Sequence, residues 1–108
     1  MDVVPAKLRL SAQRALLGAI YPEIRLVKVK LDGSTIAMTT IADREVSEGA
    51  SEALSIAASE IIADFPACNR ITEQLVISDA ELPREDILAE GWVYQRAEGY
   101  WPTFQRST

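Results

Sequence analysis

Apolar residues recur along this chain with two different periods, and each period predicts a type of secondary structure. The first stripe has the three-to-four spacing of an amphipathic helix and consists of Leu8, Ala12, Leu16, Ala19 and Ile20. Two starts for this helix are open, because Pro5 suits a first helical turn and Ser11 suits an N-cap. The helix is expected to end near Ile20, because Tyr21 precedes a proline and such residues avoid the α region.

A β-hairpin is predicted over Arg25–Ile41. Apolar residues alternate with two lysines from Val27 to Leu31, which is the pattern of a half-buried strand. Asp32 and Gly33 then predict a tight primed turn, whose central residues need positive φ. The return strand, Thr35–Ile41, is rich in β-branched residues.

The second half of the chain predicts one helix and two strands. Ser47 is a suitable N-cap for a helix that ends at Phe65, just before Pro66. The apolar face of this helix comprises Ala50, Leu54, Ala57, Ala58, Ile61, Ile62 and Phe65. A third strand is predicted over Arg70–Ser78, where Glu73 shares a face with apolar residues and therefore suggests a strand end or sheet edge. The fourth strand is Trp92–Arg96.

The predicted element order is α-β-β-α-β-β, which indicates an α+β fold. The simplest architecture is a two-layer sandwich, with a four-stranded, mostly antiparallel sheet and both helices on one face. Residues 1–108 are expected to form a single domain, and residues 97–108 an aromatic C-terminal tail. This arrangement gives every apolar stripe a surface against which to pack.

Composition argues against most kinds of enzyme. The chain of 108 residues has no histidine and one cysteine, Cys68, so it lacks the Ser-His and Cys-His pairs and the commonest transition-metal ligand. Its five glycines are too far apart for a phosphate-binding loop. We therefore expect a non-enzymatic protein without a cofactor or metal. Lys7 and Arg9 interrupt the first apolar stretch, so no signal peptide is predicted. No stretch approaches the roughly 18 apolar residues of a membrane span, so a soluble cytoplasmic protein is expected.

Charge is concentrated in one part of the chain. The net charge is −5, but residues 41–90 hold three arginines and twelve carboxylates, a net of −9. Part of this charge lies in a predicted loop that contains Asp79, Glu81, Glu85, Asp86 and Glu90. The spacing of these carboxylates matches no calcium loop. They form either a solvated surface or an acidic surface directed at a basic partner, and direct binding of nucleic acid is not expected.

Aromatic residues are the second set of candidates for binding a partner. Trp92 and Tyr94 are two residues apart and are expected to share one face of a strand. They either complete the core or form an exposed aromatic patch that anchors an interface. Tyr100 and Trp101, in the tail, either fold back on the domain or bind a partner.

Three segments of the chain resemble parts of known proteins. They are Leu10–Gly18, Ile61–Pro66 and Trp92–Arg96. Together with the hairpin, they resemble small acidic bacterial proteins that are similar to immunity proteins of polymorphic toxin systems, including contact-dependent growth inhibition. This resemblance covers most of the chain through the order of its elements, and it implies a protein partner but no catalytic residue.

The resemblance and the charge lead to one main hypothesis. The chain is predicted to be an immunity protein that covers the active cleft of a basic toxin domain, such as a nuclease, with an acidic surface. The alternatives are another binding or regulatory domain, including a homodimer formed through the open sheet face, and a small-ligand binder or small enzyme that uses only carboxylates.

Overall fold

The computed structural model describes residues 5–82 and 91–98. Its elements, in chain order, are α1 (Ala6–Ala15), β1 (Ile24–Asp32), β2 (Thr35–Ala42), α2 (Glu48–Ala63), β3 (Arg70–Ile77) and β4 (Trp92–Gln95). The predicted α+β class and the order α-β-β-α-β-β are therefore confirmed. Neither α1 nor α2, the helices within these ranges, has the length and apolarity needed to cross a membrane.

The four strands form one mixed sheet in the order β3-β2-β1-β4. β1 is antiparallel to both β2 and β4, whereas β2 and β3 are parallel. The parallel pair follows from α2, because two parallel strands need a long crossover connection and a helix usually supplies it. This topology leaves β3 at one edge of the sheet and β4 at the other.

Both helices pack on the same face of the sheet, as predicted. The main core lies between the helices and this face, and its largest buried members are Leu8, Ile24, Val27, Val29, Ile36, Met38 and Ile61. We call the other face of the sheet the open face. A small second cluster lies there and joins Leu26 and Ile41 to Leu82, which follows β3.

The first helix is shorter than its apolar stripe predicted. It begins directly after Pro5, so Ser11 lies inside it, and it ends at Ala15 instead of near Ile20. Gly18 follows with φ of +80°, a left-handed conformation that commonly terminates helices and favours glycine. Leu16 and Ala19 are buried in the core although they follow the helix. The apolar spacing therefore continues past the end of α1, which is why it predicted a longer helix.

The hairpin forms as predicted, but its turn is displaced by one residue. Asp32 pairs with Thr35, so the two central residues are Gly33 and Ser34. Only Gly33 has positive φ, at +62°, which matches a II′ turn with glycine at its first central position. The prediction that Asp32 is a central residue with positive φ was therefore wrong.

The N-terminus of α2 was predicted correctly. Ser47 is the N-cap, and its Oγ accepts a hydrogen bond of 3.1 Å from the backbone N–H of Ala50. At the other end, Asp64 accepts hydrogen bonds from Ser11 and Arg14 of α1, at 2.7 and 2.8 Å. These bonds fix α1 against the end of α2 and hold the pKa of Asp64 below its ordinary value, with the Ser11 hydroxyl as the largest cause.

Candidate functional site

A β-bulge in β1 turns a charged side chain away from the main core. Ile24 and Val27 both belong to the core beside the helices. In a regular strand, residues i and i+3 would lie on opposite faces of the sheet. The pairing with β2 shifts between Ile24 and Leu26, and such a bulge re-aims the side chains around it. Arg25 lies in this bulge with only 2% of its surface exposed.

Arg25 holds the segment that follows β3. Its Nη1 donates hydrogen bonds of 2.7 Å to the carbonyl of Ser78 and 2.8 Å to the carbonyl of Ala80. Leu82 then packs against the sheet in the small cluster on the open face. Residues 78–82 are thus anchored at three points. Asp79 and Glu81, which lie between these anchors, are exposed.

The same guanidinium group joins this segment to the residues that follow β4. Its Nη2 forms a 3.0 Å ion pair with Glu98, whose carboxylate also accepts a 2.9 Å hydrogen bond from Arg96. Arg96 in turn forms a 2.8 Å ion pair with Asp43 and donates to the carbonyl of Pro22. One partly buried network of arginines and carboxylates therefore connects β1 with the residues that follow β2, β3 and β4.

The carboxylates of this network are held in their ionised form. Burial alone would raise the pKa of Glu98, but hydrogen bonds from Arg25 and Arg96 outweigh it and lower the pKa. The hydrogen bond from Arg96 is the largest cause of the lowered pKa of Asp43. A carboxylate of lowered pKa is a weak general base at neutral pH. The network therefore suits a structural role better than proton transfer.

The grooves on the described surface do not suggest a catalytic pocket. The open groove beside α1 contains Lys7, Ser11, Arg14 and Asp64, but Ser11 and Arg14 both bind Asp64. Their polar groups thus bind one another and do not converge on a ligand position. Across residues 5–82 and 91–98, no group of three or more cysteines and carboxylates is arranged to hold a metal ion.

The two predicted sets of binding residues that the structure describes lie in different elements. Asp79 and Glu81 lie in the segment after β3, which Arg25 and Leu82 hold against β1, whereas Trp92 and Tyr94 lie in β4, which pairs with β1. The predictions for Glu85, Asp86, Glu90, Tyr100 and Trp101 fall outside the described residues. So does the tail beyond Glu98.

The expectation that Trp92 and Tyr94 share one face was wrong. The pairing of β1 with β4 shifts by one residue, so Tyr94 lies opposite Val27 while Trp92 lies opposite Lys28. Tyr94 is therefore half-buried against the main core. Trp92 is 38% exposed and points to the open face. Of the two, Trp92 is the one available to a partner.

Sequence reasoning missed two features of this surface. The first is the anchoring role of Arg25, which depends on a bulge. The second is an exposed apolar patch at the end of β3, formed by Leu75, Val76 and Ile77, which are 44%, 37% and 51% exposed. The position of Glu73 on an otherwise apolar face was the one signal of an edge, and β3 is indeed an edge strand. The patch runs directly into the acidic segment.

Comparison with known protein families gives a match over most of the chain. The family model described as MafI2 immunity protein matches residues 5–98, which includes both helices, all four strands and the network around Arg25. No curated protein matches the chain.

Proposed function

This chain belongs to the MafI2 immunity protein family, and we propose that it neutralises its toxin by covering a basic active cleft with the acidic surface around Asp79 and Glu81. Membership of this family gives the chain an immunity role and implies a toxin as its protein partner. The surface used, the basic cleft and a nuclease activity of the toxin are the proposal. A cytoplasmic location is part of it, because a toxin that has entered the cell would meet its inhibitor there.

The observation that carries the proposal is the anchored acidic segment. Asp79 and Glu81 are exposed, while the backbone around them is held by Arg25 and Leu82. A binding loop that is already ordered loses little conformational entropy when its partner arrives. Burying an arginine to fix a surface segment costs free energy. An ordered acidic surface that binds the toxin would be a reason to retain that arginine.

The distribution of charge supports the same surface. Residues 45–69 contain five carboxylates and no lysine or arginine, and the exposed Glu48 and Glu52 of α2 are among them. A nuclease cleft carries positive charge because it must bind phosphates. An acidic inhibitor is drawn to such a cleft over long range, which speeds association.

Inhibition by covering the toxin's active cleft agrees with the described residues better than inhibition by an enzymatic reaction does. The chain has no histidine, and in the described part of the chain the carboxylates Asp43, Asp64 and Glu98 are held ionised by arginines or a hydroxyl. These groups are poor proton donors and acceptors at neutral pH. We therefore propose a non-enzymatic inhibitor.

The test measures binding to the cognate toxin domain, which would be sought among the products of the adjacent genes. Association and dissociation rates would be compared for the wild type and the double variant Asp79→Lys/Glu81→Lys, at salt concentrations of about 50 and 300 mM. The control is Glu48→Lys/Glu52→Lys, which makes the same charge change on α2. We expect the first variant to reduce the association rate and its salt dependence much more than the control does.

Trp92→Ala provides a contrasting measurement. If this tryptophan contacts the toxin, its loss should increase the dissociation rate and depend little on salt, as expected for an aromatic anchor. Unchanged kinetics of the Asp79→Lys/Glu81→Lys variant at low salt, with toxin still neutralised, would show that the acidic segment is not the binding surface.

A further inference from the structure

The outer surface of the two helices carries the most exposed large apolar side chains in the described part of the chain. Leu10, Leu17 and Ile56 are 62%, 79% and 53% exposed. They line the two ends of a run of adjoining shallow grooves between α1 and α2, all of which share Arg14. Apolar side chains collected on one surface mark an interaction site, whereas scattered ones do not.

The outer residues of the two helices lie side by side in matching order. Arg14 and Glu60 line the same groove, and Leu17 and Ile56 line the next one together. Residue numbers rise along α1 while they fall along α2, so the helices are antiparallel. At the same two heights along the helix axes, each helix therefore presents a charged residue and then an apolar one.

The two helices carry opposite charge. α1 contains three cations and no carboxylate, whereas α2 contains three carboxylates and no cation. The side chain of Arg14 is 70% exposed, and Glu60 is exposed beside it. A guanidinium group has several N–H donors, so Arg14 can bind a second carboxylate while its Nη2 binds Asp64.

We propose that this helical surface pairs with the same surface of a second copy of the chain, about a two-fold axis parallel to the helices. The axis places α1 of each copy on α2 of the other, which makes an antiparallel four-helix bundle in which neighbouring helices differ in charge. Rotation about this axis leaves the height along the helices unchanged. Arg14 therefore faces Glu60 of the second copy, and Leu17 faces Ile56.

The pattern of charge selects both this axis and a second copy as the partner. A two-fold axis perpendicular to the helices would place α1 on α1 and α2 on α2, with like charges opposed. The parallel axis instead matches a cation with a carboxylate and an apolar side chain with an apolar one, and it does so twice. An isologous interface requires such self-complementarity, whereas binding of an unrelated protein does not.

This inference does not rest on the proposed function, because it needs only a second copy and not the toxin. Leu82 packs the end of the acidic segment against the open face of the sheet, whereas the helices cover the opposite face. The dimer and the toxin complex therefore use different sides of the domain, and the dimer is tested without toxin.

Sedimentation velocity of the full chain over a range of concentrations tests the dimer. We expect a concentration-dependent dimer in the wild type. Arg14→Glu and Glu60→Arg should each weaken it by about tenfold or more, because each opposes like charges at two symmetric contacts. An equal mixture of the two variants should restore the dimer, because every introduced charge then faces its opposite. Glu48→Arg is the control, since it makes the same charge change in the first turn of α2, away from the grooves.

Cross-linking tests the register with both charged residues left in place. Leu17→Cys and Ile56→Cys, each in a Cys68→Ser background, should form a disulfide-linked dimer on mild oxidation when they are mixed. Either variant alone should cross-link far less, because Leu17 faces Ile56 of the second copy and not its own equivalent. This measurement remains decisive if a charge variant fails to fold.

Three results would overturn the proposal. The first is a wild type that stays monomeric at all concentrations. The second is an Arg14→Glu variant that dimerises as well as the wild type, or a cysteine mixture that cross-links no more than the separate variants. The third is a monomeric wild type that loses toxin binding on Glu60→Arg, because the toxin would then be the occupant of the helical surface.

Discussion

Replacing Arg25 with methionine tests whether one buried guanidinium holds the acidic segment. Methionine roughly keeps the volume of the side chain but removes its charge and its donors. The change leaves the carbonyls of Ser78 and Ala80 without the hydrogen bonds of 2.7 and 2.8 Å, and it removes one of two ion-pair partners of Glu98, which keeps Arg96. We expect a large loss of stability, with most of the local disorder in residues 78–82.

The size of the effect follows from the burial of the pair. The side chains of Arg25 and Glu98 are only 2% and 8% exposed, and removing one partner of a buried ion pair costs about 3–5 kcal/mol. The two carbonyls would each add about 1–3 kcal/mol if they stayed buried and unpaired. Because the segment can detach and admit water, we expect a total near the lower end, about 3–4 kcal/mol. For a domain of this size that lowers the melting temperature by roughly 15 °C or more.

Urea unfolding followed by circular dichroism measures this loss, and amide exchange of residues 79–82 locates it. Arg14→Met is the matched control, because its ion pair with Asp64 is 70% and 39% exposed and an exposed pair contributes less than about 1 kcal/mol. If Arg25→Met costs no more than Arg14→Met and exchange in the segment is unchanged, Arg25 is not the anchor.

Three further predictions concern pH, the hairpin turn and the cysteine. Folding lowers the pKa values of Glu98 and Asp43. Their contribution to the free energy of unfolding is therefore fully present above the pKa values of the unfolded chain, and it is lost as the pH falls towards the pKa values of the folded chain. The urea midpoint should decline below about pH 4.5, and a constant midpoint would contradict this. Gly33→Val should cost about 1 kcal/mol or more, because valine resists the positive φ of +62° although nothing else lies near the site; an unchanged melting temperature would refute that reasoning. Cys68→Ser should keep toxin binding, and loss of binding in a folded variant would indicate a thiol mechanism.

The features that could be predicted from sequence are those that depend on local patterns. The period of the apolar residues gave the order of the helices and strands, and Ser47 identified the start of α2. The turn was placed one residue too early because Asp32-Gly33 and Gly33-Ser34 are both acceptable turn pairs, and only the pairing of Asp32 with Thr35 distinguishes them.

The features that were missed depend on how two strands are aligned. One register shift places Trp92 and Tyr94 on opposite faces of the sheet. Another turns Arg25 towards residues 78–82. A bulge changes the face of every later residue without leaving a clear mark in a single sequence. The acidic residues were visible from composition, but the anchoring that makes Asp79 and Glu81 a defined surface was not.

The cost of burying Arg25 allows stability and function to be separated. Replacing both members of a buried ion pair by apolar residues is often neutral or stabilising, whereas removing one is destabilising. Arg25→Met/Glu98→Leu should therefore recover part of the stability that Arg25→Met alone loses, since Arg96 loses its bond to Glu98 but keeps its ion pair with Asp43. The double variant still lacks the donors to Ser78 and Ala80, so residues 79–82 should still exchange rapidly and toxin binding should still be weak. Recovery of both stability and binding would show that the arginine serves the fold alone, and recovery of stability without binding would show that it is retained to present the acidic segment.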